Sequence, residues 1–297
     1  MHAEQPSDAA IEVRGLVRKF KRTDAVDGLN LRVEPGRCYG FFGRNGAGKT
    51  TTIKCLLNLI RPTAGTIKVF GLDPATADVA VKSRLAYVPD FVAFYPWMTV
   101  RQALDYCAAF RSRWNVDTER ALLDQFRLDQ RQKTTHLSKG QRTQLALIAA
   151  ICPEPELLVL DEPTSGVDPL QRARLWETIR ATASDGAGVL VTTHHLSEAE
   201  QCDRLIVLAS GRVVAAGTLD EVVGDATAVE VRTPTWEAAF AALDLAGLPV
   251  SLVGRTLRVP GADPDTVRRL LADAGVPAQV ATVAASFEET FVVLAAA

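Results

Sequence analysis

Apolar residues fall along this chain in three textures, and each predicts a different kind of element. Where they alternate with polar ones, as in Ile11-Glu12-Val13-Arg14 and Leu29-Asn30-Leu31-Arg32-Val33, the period of two predicts an antiparallel entry sheet before the turn at Pro35-Gly36. Where they run on without interruption, as in Leu157-Leu158-Val159-Leu160 and Gly188-Val189-Leu190-Val191-Thr192-Thr193, they predict strands buried on both faces. Cys38-Tyr39-Gly40-Phe41-Phe42 is another apolar run, read as a strand before a glycine-rich loop. Where apolar residues recur at helical spacing, as at Ile53, Leu56, Leu57 and Ile60, or on the side of a helix bearing Leu145, Leu147, Ile148 and Ile151, they predict helices. Short strands are expected at 65–71 and 84–89, helices through about residue 128, a helix at 196–202 and a strand at 204–208.

The order resets near residue 226. Strand at 228–232, helix at 235–245, strands at 250–253 and 256–259, helix at 265–274, strand near 278–283 and a last helix from Phe287 follow the split order of a ferredoxin-like domain. The organisation expected is a tail at 1–10, a nucleotide-binding domain at 11–225 with a helical subdomain at about 90–150, and a small α+β domain at 226–297. That second domain reads either as a clamp for a dimer or as a docking site.

Composition narrows the partners more than the fold. The chain has 297 residues, of which 47% are apolar and 23% charged, and its net charge is −2. Without a basic excess there is no electrostatic footprint for nucleic acid. Five cysteines stand far apart with no C-x-x-C pair, which suits buried thiols rather than a disulfide framework or a zinc site. The polar start, Met1 to Asp8, does not read as a signal peptide. Apolar runs such as 145–152 and 291–297 fall short of the roughly 18 residues that span a membrane. If the protein acts at a membrane, another chain must cross it.

One octapeptide carries the chemistry. Gly43-Arg44-Asn45-Gly46-Ala47-Gly48-Lys49-Thr50 fits the phosphate-binding pattern G-x-x-x-x-G-K-S/T, with a strand before it and a helix, opening at Thr51, after it. The glycines allow backbone N–H groups and the positive end of the helix to converge on a phosphate. Lys49 reaches the β- and γ-phosphates in that pattern, and the Thr50 hydroxyl serves Mg²⁺. The adjacent carboxylates Asp161 and Glu162 end a buried strand, where such folds place their chemistry. Ser138 and Gln141 have the spacing of a capping box, which explains them structurally, although a capped helix start is also an anion site. Phe20, in the basic segment Val17 to Lys21, is either a flat surface for adenine or a strand-edge core residue. The aromatic run 91–98 reads as core or as a socket for a partner's helix.

Taken together, these motifs resemble the ATP-binding subunit of ABC transporters across residues 11–222. The match comprises the phosphate loop at 43–50, the signature Leu137-Ser138-Lys139-Gly140-Gln141, the strand ending in Asp161-Glu162-Pro163, the loop Ser165-Gly166-Val167-Asp168 and the switch residue His194. The phrase from Thr193 to Glu200 is similar to export-type systems, including drug and antibiotic resistance exporters. The resemblance implies an α/β fold: a P-loop NTPase core with antiparallel β and helical subdomains of ABC ATPase type.

The resemblance also implies roles. ATP-Mg²⁺ would sit on the loop, with Phe20 against adenine, Lys49 on the phosphates, and Thr50 and Asp161 at the metal. Glu162 would orient or deprotonate the attacking water, and His194 would sense the γ-phosphate. His195 matches no family position. Ser138, Gly140 and Gln141 would close over the nucleotide of a second copy or a paralogous subunit. The dimer would drive a separately encoded permease from the cytoplasmic face of the membrane. The family has glutamine where this chain has Asp90, for which a metal-linked role is expected. A soluble ABC-type switch on ribosomes or DNA is the alternative. Its marks, tandem modules or a long coiled-coil insertion, are absent, as is the N-K-x-D motif of a GTPase.

Overall fold

The computed structural model describes residues 9–21 and 23–296, so most of the tail expected at 1–10 lies outside the described residues. The chain divides into two compact units, 1–213 and 214–297. In the first, β1 (Ile11–Phe20) and β2 (Thr23–Val33) form a hairpin, and β3 (Cys38–Phe42) leads through the glycine loop into α1 (Lys49–Leu56). β4 (Ala64–Val69) returns to the free side of β1, giving an antiparallel sheet in the order β2-β1-β4, with Ile11 opposite both Val33 and Val69. α2 (Asp78–Arg84) and β5 (Leu85–Val88) precede the helical region, made of α3 (Val100–Ala108), α4 (Val116–Phe126) and α5 (Lys139–Ile151). β6 (Leu157–Asp161), α6 (Pro169–Ser184), β7 (Gly188–Thr193), β8 (Arg204–Ala209) and β9 (Arg212–Gly217) complete a sheet in the order β5-β6-β7-β3-β8-β9. Its strands are parallel from β5 through β8.

The continuous apolar runs have a simple cause in this arrangement. Leu158, Leu160, Val189 and Val191 enter one core, shared with the helices α3 to α6. Leu157, Val159 and Leu190 enter another, shared with the hairpin and α1. A strand with a core on each side needs apolar residues at every position. Helix starts are fixed locally: Thr99 caps α3 in a box with Gln102, Asn115 caps α4, and Asp168 caps α6 with Pro169 at the first position.

The second unit holds α7 (Leu219–Val223), β10 (Thr227–Arg232), α8 (Trp236–Leu245), β11 (Ser251–Val253), β12 (Thr256–Pro260), α9 (Pro264–Asp273), β13 (Gln279–Ala284) and α10 (Phe287–Ala296). Its sheet is antiparallel in the order β11-β12-β10-β13, the order a split β-α-β-β-α-β unit produces. α10 is anchored by Arg258 of β12, whose Nε and Nη2 donate to Glu289 at 2.7 and 2.9 Å. This unit starts ahead of the change of pattern near 226, because α7 packs against α10.

Two expectations change. The segment 196–202 forms a 3-10 helix, Leu196–Gln201, rather than an α-helix. The aromatic run 91–98 is not simply core. Val92, Phe94 and Met98 pack inward, whereas Phe91, Tyr95 and Trp97 stand exposed.

Candidate functional site

The site begins where β3 ends. Gly46 and Gly48 hold φ of +84° and +107°, a region that L side chains rarely adopt. A Cβ on Gly48 would meet the Ala25 carbonyl oxygen at 2.3 Å, and one on Gly43 would meet the Leu208 carbonyl oxygen at 2.7 Å. The turn between β8 and β9 presses on the same point, since a Cβ on Gly211 would lie 3.1 Å from the Ala25 oxygen. Backbone bonds tie the three segments, Asp27 N donating to Gly211 O at 2.9 Å and Gly211 N to Ala47 O at 3.1 Å. The loop is therefore clamped between hairpin and sheet. α1 starts without a side-chain cap, which leaves its first N–H groups for an anion. Thr50, Arg44 and Asn45 are exposed and Thr51 is half-buried.

Lys49 is 6% exposed, and its Nζ donates to Gly43 O at 2.5 Å while lying 3.1 Å from Oε1 of Glu162. The other Glu162 oxygen accepts from Nδ1 of His194 at 2.6 Å. Glu162 thus links Lys49 to His194. Its backbone holds φ of +51°, and its N–H donates to both the Oγ1 and the carbonyl oxygen of Thr192, at 2.9 and 3.1 Å. The same Thr192 hydroxyl donates to Asp161 Oδ1 at 2.5 Å. One threonine on β7 therefore holds the Asp161 carboxylate and the Glu162 backbone at the end of β6. Nearby, burial and then the charges of Asp161 and Asp90 push the Tyr87 phenol up to about 12, so it stays neutral. Burial, helped by His194, holds His195 below the usual histidine range, and its ring lies on that of His194 with centroids 4.2 Å apart.

These residues fit ATP and Mg²⁺. Gly43 and Gly48 admit no side chain against the neighbouring backbone, so the loop is formed by its main chain alone, and the buried Lys49 ammonium donates to Gly43 at its start. No cage of three His, Cys, Asp or Glu side chains stands among the described residues. An exposed hydroxyl on Thr50 and an oriented carboxylate on Asp161 suit Mg²⁺, which takes one or two protein ligands with water and phosphate.

The other expected site residues lie apart from this group. Ser138 caps α5: its Oγ accepts from Gln141 N at 3.1 Å, and Gln141 Oε1 accepts from Ser138 N at 2.9 Å. Gly140 is buried, and a Cβ there would meet Gln171 Oε1 at 2.1 Å. Asp90 is exposed, with its carboxylate 3.8 Å from Nζ of Lys139 in the signature. Phe20 is exposed at the end of β1, with the Arg18 guanidinium 4.4 Å from its ring centre, so it is not a core residue.

Three sets of contacts escaped the reading of the sequence. Thr192 was visible as a polar residue ending a buried strand. Lys139 beside Asp90 left no signal. Tyr106 and Phe110, spaced by four, extend the aromatic run: Tyr95 stacks on Trp97 at 4.8 Å, meets Tyr106 edge-on at 5.7 Å, and Tyr106 meets Phe110 at 5.1 Å. The result is an aromatic surface, with Trp97 66% and Phe110 72% exposed.

A profile described as ABC transporter matches residues 26–165. The daunorubicin resistance ATP-binding protein DrrA3 of Streptomyces coeruleorubidus is 38% identical over 96% of this chain and 95% of its own length. The Nod factor export ATP-binding protein I of Burkholderia lata is 38% identical over 70% of this chain and 71% of its own. Among solved structures, an ATP-binding subunit of an ABC transporter superposes with a TM-score of 0.67 at 29% identity, over 89% of this chain and 99% of that one. A dimeric bacterial ABC transporter cassette, at 21% identity and a TM-score of 0.63 over 70% of this chain and 98% of that one, shows the shared fold.

Proposed function

We propose the function from one premise: the chain belongs to the ABC transporter family of ATP-binding subunits. On that premise it is an ATP-hydrolysing motor, which dimerises around two Mg²⁺-ATP and drives export through separate membrane subunits. The observation that carries this reading is the connected set Lys49, Glu162 and His194 at the mouth of an anion-binding loop.

Lys49 and the N–H groups of 46–51 bind the phosphates, with Arg44 and Asn45 at the rim. Thr50 and Asp161 hold Mg²⁺, which neutralises charge on the phosphates when bound. Glu162 accepts a proton from, or orients, the water that attacks, a role worth about 10²–10⁴ in rate. His194 holds the Glu162 carboxylate from the side away from Lys49 and reports on the γ-phosphate. Phe20 offers an open ring face to adenine. The Ser138 hydroxyl accepts one hydrogen bond in its capping box and keeps its proton to donate. With Gly140 and Gln141 it acts on nucleotide held by a second copy or a paralogous subunit. Asp90 would help to hold the metal or, through Lys139, would act on the signature.

Among the described residues no helix is long and apolar enough to cross a membrane. The aromatic surface around Tyr95, Trp97, Tyr106 and Phe110 is the docking face for a permease at the cytoplasmic side. Relatives named for drug resistance and Nod factor export support an exporter. Glu162→Gln tests the reading: ATP binding persists, hydrolysis falls by at least about 100-fold, and an ATP-bound dimer accumulates on gel filtration. Turnover at the wild-type rate in that variant removes Glu162 from the reaction.

A further inference from the structure

The segment bearing His194 holds a second carboxylate that the proposed reaction does not use. Glu198, in the 3-10 helix Leu196–Gln201, is 2% exposed, and among the described residues neither of its carboxylate oxygens has a hydrogen-bond partner. Burying a carboxylate without hydrogen bonds is unfavourable, so its position calls for a reason. The charge facing it is Arg172, whose Nε lies 3.8 Å from Glu198 Oε1 and is itself buried without a hydrogen-bond partner. The two groups are aligned as an ion pair but stand outside hydrogen-bond distance.

Arg172 sits in the first turn of α6, and that turn touches the other parts of the site. Its Nη2 donates to Val167 O, in the loop 165–168, at 3.5 Å. Its neighbour Gln171 packs against Gly140 of the signature. Asp168 fixes the turn by accepting from Leu170 N and Gln171 N, both at 3.1 Å. On the other side, Glu198 N donates to His195 O at 3.0 Å, and the His195 ring lies on His194. A series of contacts therefore runs from Gly140, through the start of α6 and Glu198, to His194 on Glu162.

We propose that Arg172 and Glu198 are a pair of positioning residues, which couples the placement of His194 in a subunit's own site to the placement of its signature. A shift of α6 by about 1 Å brings the guanidinium into hydrogen bonding with the carboxylate. That closure draws the switch segment toward α6 and holds the His194 ring on Glu162. Because the same turn carries Gln171 against Gly140, the signature moves with it. A subunit thus presents its signature to the partner's nucleotide in step with its own switch histidine. The inference rests on the roles proposed for Glu162, His194 and the signature.

The test measures Mg²⁺-dependent ATP hydrolysis, binding of a fluorescent ATP analogue and thermal melting on the full chain. Arg172→Met and Glu198→Gln each lower kcat by at least about tenfold while KM for ATP stays within about twofold. Each also lowers the melting temperature, since a buried charge loses its counterpart. The double variant, with neither charge, regains the melting temperature but not kcat. Arg172→Lys keeps the charge without the fork and so melts as wild type with reduced kcat; it decides the matter if the double variant does not fold. Recovery of kcat together with melting temperature in the double variant, or wild-type kcat in Arg172→Lys, overturns the inference. If instead Glu162→Gln keeps wild-type hydrolysis, the reading of the site itself fails, whatever the pair does.

Discussion

The phosphate-loop end of the site and the signature end are built in opposite ways. Around Glu162 the contacts close inside one chain: Lys49 on one oxygen, His194 on the other, and Thr192 bridging to Asp161 by its hydroxyl. Around Ser138 the side chains close a capping box with Gln141, and the neighbouring charges, Lys139 and Asp90, stand exposed at 3.8 Å. The first end is organised by its own fold. The second is left exposed, as the site proposed to be shared between two subunits would require.

The contrast breaks most sharply at Lys49. Lys49→Ala removes the loop's cation and leaves Glu162 buried without it, so ATP binding and hydrolysis should both be lost, with turnover down by about 10³-fold or more. If a filter-binding assay finds unchanged ATP affinity, the loop end is not the phosphate site. Ser138→Ala attacks the other end. It should leave the first ATP bound normally and reduce turnover by about 10–100-fold, the worth of a hydrogen bond to a charged group. Loss of ATP binding by the isolated subunit would show that the signature serves its own chain's nucleotide instead.

Asp90→Ala sharpens the boundary between the two ends, because Asp90 is proposed to face both. Mg²⁺-dependent hydrolysis or transport should fall severalfold, with melting unchanged for so exposed an ion pair. Unchanged values of both would exclude a metal-linked role. Trp97→Ala should leave the ATPase rate of the isolated subunit within about twofold, since the ring lies outside the site, yet weaken detergent co-purification with a permease. The smallest effect lies away from both ends. The hydrogen bonds from Arg258 hold the Glu289 carboxyl below its ordinary value of 4.5. A lowered pKa stabilises the fold above the ordinary value, and that stability is lost as pH falls through the lowered one. The melting difference between wild type and Arg258→Met should therefore be present at neutral pH and shrink as acidification passes below the ordinary carboxylate range.

The sequence made the strands legible wherever burial was uniform. Leu157 to Leu160 and 188–193 could hardly be anything but central strands, and the phosphate loop between 38–42 and α1 followed from its glycines and Lys49. Short elements too brief to show a period were not visible: α2, β9 and α7 span seven, six and five residues. The aromatic run shows the limit most clearly. Composition cannot separate Phe94, which packs against the core shared with α3 to α6, from Phe91, which is 83% exposed. The site was legible by residue type, but not its wiring. That Thr192 serves the Asp161 carboxylate and the Glu162 backbone, or that Asp90 meets Lys139, depends on groups brought together by sheet register and helix placement.

Ala25 has an importance that its own side chain does not explain. The phosphate loop at Gly48 and the turn at Gly211 both lean on its backbone, so three stretches far apart in the sequence share one contact. Such a contact limits how pieces of related proteins can be exchanged. A chimera that imports a foreign hairpin 11–33 while keeping 43–50 and 209–212 would inherit a mismatch at that point, and segments transplanted as one block would not.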